Sequence, residues 1–501
     1  MSYYTSVSTY GKHILVRAVE NGRRVNKKVE YKPTLFLPSQ APTKFTTIHG
    51  AYVKPTKPGN LWDCKKKIEH YEGIDNFKVY GQRKYDYAWV ADEYPDEIAW
   101  DRKGIVVAFL DIETGPEGGG GFASPETAKG PVTAIGIKIG DRCTVFGYNY
   151  YTNKRNDVTY IDCTNETDML KRFIDFWSSN YPDVITGWNV DFFDIPYLVN
   201  RITNLFDEDM AARLSPWDYI RERRATIMGR EQQTYVISGV AVLDYLQLYK
   251  KFAPQGKSRE SYKLDAISFE EIGEKKLAYE GSLFRLYEED YQKFIDYNIQ
   301  DIELIEKLDN KLRLLDLAFV LAYNAKVNFE DVFFQTRMWQ NLIFLHLKKN
   351  KMVMPPPPPK QDKGSYVGAY VKPPITGMHE WCVSYDCGSL YPSAIRAFNV
   401  SPETIIEAKD YDDEMRNIVA NISVDKLLDQ SIDLSYLEKK NICMAPSGQF
   451  FRNDIEGIMP QLVRKMTDDR AKYKEQMLTA KKKLELVEAE IKRRNSNGRN
   501  N

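Results

Sequence analysis

Residues 105–114, IVVAFLDIET, join an unbroken apolar run to two carboxylates, and this stretch decides how the middle of the chain folds. The run from Ile105 to Leu110 predicts a strand that is buried on both faces. Asp111 and Glu113 follow at positions i and i+2, so their side chains point to the same side of that strand. A pair of this kind is by itself more often a solvated strand end than a reactive site, so its meaning depends on the rest of the sequence.

Two later segments supply further carboxylates. Residues 185–198, ITGWNVDFFDIPYL, place Asp194 after a short apolar run that a glycine turn closes. Residues 291–308, YQKFIDYNIQDIELIEKL, have the pattern of an amphipathic helix. Tyr297 and Asp301 are spaced i, i+4 there and share one face of the helix.

One strand, one turn and one helix would therefore bring together the carboxylates of Asp111, Glu113, Asp194 and Asp301. Four such groups repel one another unless a cation neutralises them. Oxygen ligands without histidine or cysteine nearby favour Mg²⁺, or else Mn²⁺. Two ions of this kind can activate a water and stabilise the leaving oxygen of a phosphoryl transfer, and Tyr297 is placed to orient that water.

DIET, the N-x3-F-D pattern in NVDFFD and the Y-x3-D pattern in YNIQD resemble, in that order, the three exonuclease motifs of family B DNA polymerases. The resemblance extends to the polymerases of T4-like bacteriophages and implies a ribonuclease H-like domain with 3′–5′ proofreading activity. It implies that Tyr297 positions the attacking water and that the two-metal site is held by Asp111, Glu113, Asp194 and Asp301. Asp191 lies near the middle motif but does not match a motif position.

Composition shifts indicate an α/β and α+β multidomain protein. The segment before Ile105 reads as a small α+β region, a helical pattern fills 313–350, and Pro355–Pro359 predict a stiff connector. Residues 223–246 predict a hairpin that turns near Met228–Glu231. With the resemblance, we expect an N-terminal domain at 1–104 with a return segment at 313–355, the exonuclease domain at 105–312, a partial palm at 356–442 and the first half of a helical fingers domain at 443–501.

Residues 384–395, SYDCGSLYPSAI, resemble the first palm motif of the same family, D-x-x-S-L-Y-P-S. We predict that a strand at Trp381–Tyr385 leads into this motif, and that a second strand lies at Ser365–Val371. The resemblance implies that Asp386 holds metal ions at an incoming triphosphate. It implies that the incoming nucleotide contacts the turn residues Ser389 and Leu390 and the aromatic ring of Tyr391. By a further resemblance, of YVGAYV to a template-contacting segment, DNA would contact Tyr366, Gly368 and Ala369.

After Pro460 the pattern predicts one long polar helix that runs to the end of the sequence. Arg470 and Lys474 lie on one side of it, and the resemblance implies that they grip triphosphate oxygens. An ordinary solvated basic face is the alternative for such a charge run. Beside it runs an apolar seam that predicts a partner, formed by Tyr473, Met477, Ala480, Leu484, Val487 and Ile491.

The 501 residues contain 70 Lys+Arg and 70 Asp+Glu, so net charge gives no general attraction to nucleic acid or to a membrane. The six cysteines form no C-x-x-C pair, and the first residues lack the apolar core of a signal peptide. We therefore expect a cytoplasmic protein that does not contact a membrane. The resemblance implies that it is encoded by a phage and acts in the cytoplasm of a bacterial host.

The family's second fingers motif, K-x3-N-S-x-Y-G, and its palm D-T-D do not occur in the sequence. We therefore expect the N-terminal subunit of a split replicative DNA-directed DNA polymerase. Its partners would be primer–template and single-stranded DNA, a dNTP, a C-terminal polymerase chain and, through that chain, a sliding clamp. Three alternatives stay open: a free-standing 3′–5′ exonuclease with an inert palm remnant, a non-catalytic nucleic-acid-binding module, and a truncated piece of a longer polymerase chain.

Overall fold

The computed structural model describes residues 2–74, 77–117, 123–227, 230–253, 259–358 and 373–497. The chain forms two compact units, the first made of residues 1–45 and 52–356 and the second of residues 46–51 and 357–501. The division after residue 356 lies within the proline run, where the sequence predicts a boundary. Within the described ranges, every helix is too short or too polar to span a bilayer.

The first unit combines small antiparallel sheets, one large sheet and many helices. Its strands are β1 (Ser2–Tyr10), β2 (His13–Glu20), β3 (Arg23–Glu30), β4 (Leu35–Pro38), β5 (Phe45–Thr46, which reaches into the second unit), β6 (Tyr52–Thr56), β7 (Val107–Thr114), β8 (Val132–Ile139), β9 (Arg142–Gly147), β10 (Val158–Asp162), β11 (Val184–Thr186), β12 (Ile220–Ile227), β13 (Arg230–Ile237) and β14 (Ala241–Val242). Its helices are α1 (Leu61–Glu72), α2 (Tyr85–Glu93), α3 (Glu166–Asn180), α4 (Asp194–Leu205), α5 (Glu208–Ala212), α6 (Tyr245–Phe252), α7 (Leu264–Ile272), α8 (Leu283–Glu289), α9 (Tyr291–Leu312), α10 (Leu314–Ala325) and α11 (Gln335–Lys349), with 3₁₀ turns at Arg102–Gly104 and Phe329–Phe333.

The predicted return segment packs on the N-terminal sheet β1–β2–β3. The hydroxyl of Tyr4 donates to the carbonyl of Val327 at 2.7 Å. Asn328 exchanges two hydrogen bonds with the backbone of Val7, each 2.8 Å long. Residues far apart in sequence thus share one core, and the proposed domain limits at 104 and 313 stay predictions because both lie inside one compact unit.

The large sheet is mixed, with strand order β10-β9-β8-β7-β11-β14. Strand β7 runs antiparallel to β8 and parallel to β11. Its side chains alternate between two cores: Val107 and Phe109 pack in the core that contains α9, whereas Leu110 and Ile112 pack in the core that contains α3 and α4. Since this alternation has a period of two, Asp111 and Glu113 continue the α9 side of the strand.

Strands β12 and β13 form a separate two-stranded sheet, the β-hairpin that the sequence predicts. Its strands pair antiparallel, from Ile220 opposite Ile237 to Ile227 opposite Arg230. We predicted the turn near Met228–Glu231; Met228 and Gly229 lie outside the described residues, and Arg230 and Glu231 begin β13.

The second unit contains α12 (Leu390–Ala397), α13 (Asp413–Asn421), α14 (Val424–Leu428), α15 (Ser435–Lys440), β15 (Ile442–Met444), β16 (Phe450–Arg452), α16 (Ile458–Asn497) and a 3₁₀ turn at Ala408–Asp410. The 40 residues of α16 confirm the long polar helix. Glu403 accepts the N–H of Ile458 at 2.5 Å and Ser401 accepts that of Met459 at 3.2 Å, so buried side chains satisfy the first turn of this helix.

The strand expected at Trp381–Tyr385 is wrong: these residues, all described, adopt no regular structure. Trp381 and Tyr385 are 96% and 94% exposed. An alternating apolar pattern favours a strand only where a neighbouring strand can accept its backbone hydrogen bonds and a core can cover its side chains. The other strand expected here, Ser365–Val371, lies outside the described residues.

Candidate metal centre

Three predicted carboxylates meet in the first unit. Asp111 and Glu113 come from the end of β7 and Asp301 from the middle of α9, and their oxygens lie within 4.8 Å of one another. Glu113 and Asp301 are only 7% and 3% exposed. The i, i+2 spacing on the strand and the helix that covers the same face produce this convergence.

Asn298 holds the helix and the strand in register. Its amide donates to Asp111 Oδ2 at 2.8 Å, and the side chain is fully buried. It reaches Asp111 across Gly136, the residue opposite Asp111 in β8. A Cβ at Gly136 would overlap both the Asn298 amide and Ile302, so the close approach of α9 to the sheet requires glycine there.

Burial and mutual repulsion raise the pKa of the clustered carboxylates. Burial, with the charge of Asp301 second, raises the pKa of Glu113 to about 8. Burial, with the charges of Glu113 and Asp301, also raises the pKa of Asp111 well above its ordinary range. Ionisation of these carboxylates therefore costs free energy, and a bound cation would offset that cost.

Lys276 is a residue of this centre that the sequence motifs did not indicate. Its Nζ donates to Asp301 Oδ2 and to the hydroxyl of Tyr297, the latter at 3.0 Å. Burial lowers the pKa of Lys276, but the charges of Asp301 and its neighbours outweigh burial and raise it overall. Tyr297 and Asp301 thus lie side by side on α9, as their i, i+4 spacing predicts.

Asp194, the fourth predicted ligand, lies close by but is not part of the group of three. It begins α4, and its Oδ1 accepts the N–H of Ile112 at 3.0 Å. Burial raises the pKa of Asp194 to about 7, and its charge raises that of Asp111. Asp194 therefore lies next to the cluster, and its role as a metal ligand stays a prediction.

The donor set of the cluster fits a hard divalent cation. Asp301 Oδ1 is buried and has no hydrogen-bond partner within the described part of the chain. A buried carboxylate oxygen without a donor is costly unless a ligand supplies the missing charge. Asp111, Glu113 and Asp301 are the residues that could hold such an ion.

In the second unit, the structure brings together two of the predicted nucleotide-binding residues. Arg470 on α16 lies 3.4 Å from the Ser389 hydroxyl, which it can donate to, and Ser389 has a left-handed φ of 55° just before α12. Leu390 and Tyr391 are exposed beside it. Lys474 follows one turn further along α16 and is exposed.

Asp386, the predicted palm carboxylate, lies in the exposed segment before α12, and among the described residues it joins no cluster of acidic side chains that could hold a metal. Tyr366, Gly368 and Ala369 lie outside the described residues, so the prediction that they contact DNA has no structural counterpart.

Comparison with known proteins gives matches to two family models. Residues 72–267 match a model described as DNA polymerase family B, exonuclease domain, and residues 327–493 match one described as DNA polymerase family B. These matches define the class as polymerases with an associated exonuclease domain, which agrees with the mixed sheet and its carboxylates.

The chain belongs to DNA polymerase family B. It is 32% identical to a DNA-directed DNA polymerase of Escherichia phage RB69 and 30% identical to one of Enterobacteria phage T4. Each alignment covers 97% of this chain and 55% of the relative, so the chain spans about half the length of these curated relatives. DNA polymerase 1 of Sulfurisphaera ohwakuensis is 27% identical over 59% of the chain and 35% of its own length.

Proposed function

We propose that the first unit is a metal-dependent 3′–5′ exonuclease of ribonuclease H-like fold that removes nucleotides from single-stranded DNA ends. The observation that carries this proposal is the convergence of Asp111, Glu113 and Asp301 around a partnerless buried oxygen. The exonuclease-domain match supports it and includes Asp111, Glu113 and Asp194, while Asp301 lies beyond the matched residues.

Mg²⁺ or Mn²⁺ held by the carboxylates, with Asp194 as a further ligand, would supply Lewis acidity and a lowered pKa for a bound water. The chain's own contribution is orientation. The Tyr297 oxygen accepts a hydrogen bond from the Lys276 ammonium at 3.0 Å, which fixes the hydroxyl next to Asp301, where it would orient a water. Asn298 fixes the Asp111 carboxylate, which keeps one ligand in place while substrate binds.

The test is hydrolysis of a labelled single-stranded oligonucleotide with Mg²⁺. We expect the wild-type chain to shorten it from the 3′ end, EDTA to stop the reaction, and the double variant Asp111→Ala/Glu113→Ala to be inactive. Asp296→Asn is the matched control, because this carboxylate lies on the same helix but accepts its hydrogen bond from Tyr151 at 2.8 Å. Full activity in the double variant would refute the assignment.

We further propose that the second unit contributes part of a polymerase site in a template-directed, replicative DNA-directed DNA polymerase. Asp386 would bind metal, Tyr391 would stack on the sugar, and Ser389, Leu390, Arg470 and Lys474 would contact the triphosphate of a dNTP. The contact between Arg470 and Ser389, and the family match over 327–493, support this placement. The second palm carboxylate and fingers motif would come from polypeptide outside these 501 residues, in the same chain or in a partner that also contacts the clamp.

Nucleotide binding tests this second proposal. Binding of a dNTP with Mg²⁺ in the presence of primer–template should weaken about 10- to 150-fold in Arg470→Gln, since one charge-assisted hydrogen bond is worth about 1.5–3 kcal/mol. Lys482→Gln, on the same helix but eight residues beyond Lys474, is the control. Equal binding by both variants would favour the alternative of a free-standing exonuclease.

A further inference from the structure

Asp191, the carboxylate that matched no motif, joins the turn before Asp194 to both strands of the β12–β13 hairpin. Its Oδ1 accepts the hydroxyl proton of Thr234 at 2.6 Å, and its Oδ2 accepts from Arg223 at 2.8 Å. Arg223 and Thr234 are themselves directly opposite each other in the hairpin ladder. One side chain therefore holds a cross-strand pair.

The other side of the same turn is fixed from the large sheet. Asp244, which follows β14 and is 1% exposed, accepts the backbone N–H groups of Asn189 and Asp191 at 3.3 and 3.2 Å. The turn from β11 to α4 is thus held by the Asp244 carboxylate on one side, and its own Asp191 carboxylate contacts the hairpin on the other.

The turn is also stiff within itself. The N–H of Phe193 donates to the carbonyl of Asn189 and that of Ile195 to Val190, both at 3.0 Å. Asn189 has a left-handed φ of 69°. Because only two residues separate Asp191 from Asp194, a displacement of Asp191 is carried to the start of α4 rather than absorbed by a loose loop.

The link between Asp191 and the hairpin is largely shielded from solvent. Thr234 is fully buried, and the Asp191 carboxylate is 15% exposed, so the link lies away from solvent where a lost partner is not replaced by water. Among the described residues, the ion pairs of Arg224, the next residue on β12, are with Glu222 and Glu231 of the hairpin. Arg223 thus contacts the turn, whereas Arg224 contacts the hairpin. A change at Arg224 therefore tests the stability of the hairpin, and a change at Arg223 tests its link to the turn.

We propose that Asp191 is a positioning residue of the exonuclease centre, which ties the turn that carries Asp194 to the Arg223–Thr234 pair so that the hairpin sets where the Asp194 carboxylate lies. This inference rests on the proposed exonuclease function of the same centre. It makes Thr234 and Arg223, far from the metal ligands in sequence, determinants of turnover.

The test uses the p-nitrophenyl ester of thymidine 5′-monophosphate, a phosphodiester that offers no strand for the hairpin to hold, with Mn²⁺. Thr234→Val keeps the side-chain shape but removes the hydroxyl, and we expect kcat to fall about tenfold or more while KM changes less than twofold, because a misplacement of about 1 Å can cost about 10²-fold in rate. Thr234→Ser restores the hydroxyl and should restore kcat. Arg224→Gln should leave both constants unchanged.

The outcomes separate the two proposals. A wild-type chain without metal-dependent hydrolysis of the ester and of single-stranded DNA would overturn the exonuclease assignment. An active wild type whose Thr234→Val variant has the same kcat as Thr234→Ser would overturn the inference and leave the assignment standing. If Thr234→Val unfolds below the assay temperature, Arg223→Gln at the half-exposed end of the link decides by the same comparison with Arg224→Gln.

Discussion

The ammonium of Lys276, in the loop before α8, contacts both Asp301 and Tyr297 in the candidate metal centre. We predict that Lys276→Gln lowers the exonuclease kcat by about 10²-fold, the usual effect of removing one preorganised donor. The variant frees both Asp301 Oδ2 and the Tyr297 hydroxyl. Lys275→Gln is the control, since that cation lies over the Phe269 ring and not in the cluster. Steady-state kinetics on a short single strand measure the difference, and equal rates for the two variants would exclude a role for Lys276.

Among the residues of the site, the sequence predicted those that lie on a strand or a helix with regular spacing, and it missed the one that lies in an irregular segment. Asp111 and Glu113 on a strand, and Tyr297 and Asp301 on a helix, share a face because of regular spacing. Lys276 lies in the irregular segment between α7 and α8, where no spacing relates it to the ligands. Its signal would have been a lone lysine near two helix ends, which is too common to single out.

The crossing of α9 over the large sheet depends on one small residue in β8. We predict that Gly136→Ala destabilises the fold by about 1–3 kcal/mol, the usual cost of overpacking, because the added methyl overlaps Asn298 and Ile302. Since Asn298 also holds Asp111, activity should fall with stability. Gly73→Ala is the control, because a Cβ there meets no atom within 4 Å. Urea unfolding measures both, and an unchanged midpoint for Gly136→Ala would contradict this account of the helix–sheet contact.

Helices and strands were predictable from the sequence where their backbone hydrogen bonds are made within the element itself. The helix α16 forms backbone hydrogen bonds within its own 40 residues, and the two strands of the hairpin β12–β13 pair with each other. The strand expected at Trp381–Tyr385 needs a neighbour, and its exposed apolar side chains have no core to enter. The same holds for the seam on α16, where Tyr473, Leu484 and Val487 are more than half exposed. A sequence pattern therefore predicts which secondary structure a segment favours, but not whether a neighbouring strand or core is present to cover its apolar side chains.

At the scale of the molecule, the whole candidate metal centre lies inside one compact unit. Its parts come from β7, α4, the loop before α8 and α9, so about 190 residues of sequence separate Asp111 from Asp301. Contacts of this range are invisible to local patterns, and only the joint order of the three motifs indicated them. The equal numbers of acidic and basic residues likewise conceal a local excess of buried negative charge.

That buried charge makes the stability of the first unit depend on pH and metal together. Glu113 and Asp194, with pKa values raised to about 8 and about 7, keep protons in the folded protein that the unfolded chain has already released. The free energy of unfolding should therefore fall as pH rises from about 5 to about 8 in EDTA. Mg²⁺ replaces those protons, so it should raise the melting temperature more at pH 8.5 than at pH 5.5. In Glu113→Gln both the slope and the metal effect should shrink, as followed by circular dichroism. An equal Mg²⁺ effect at the two pH values would mean that the ion does not bind at these carboxylates.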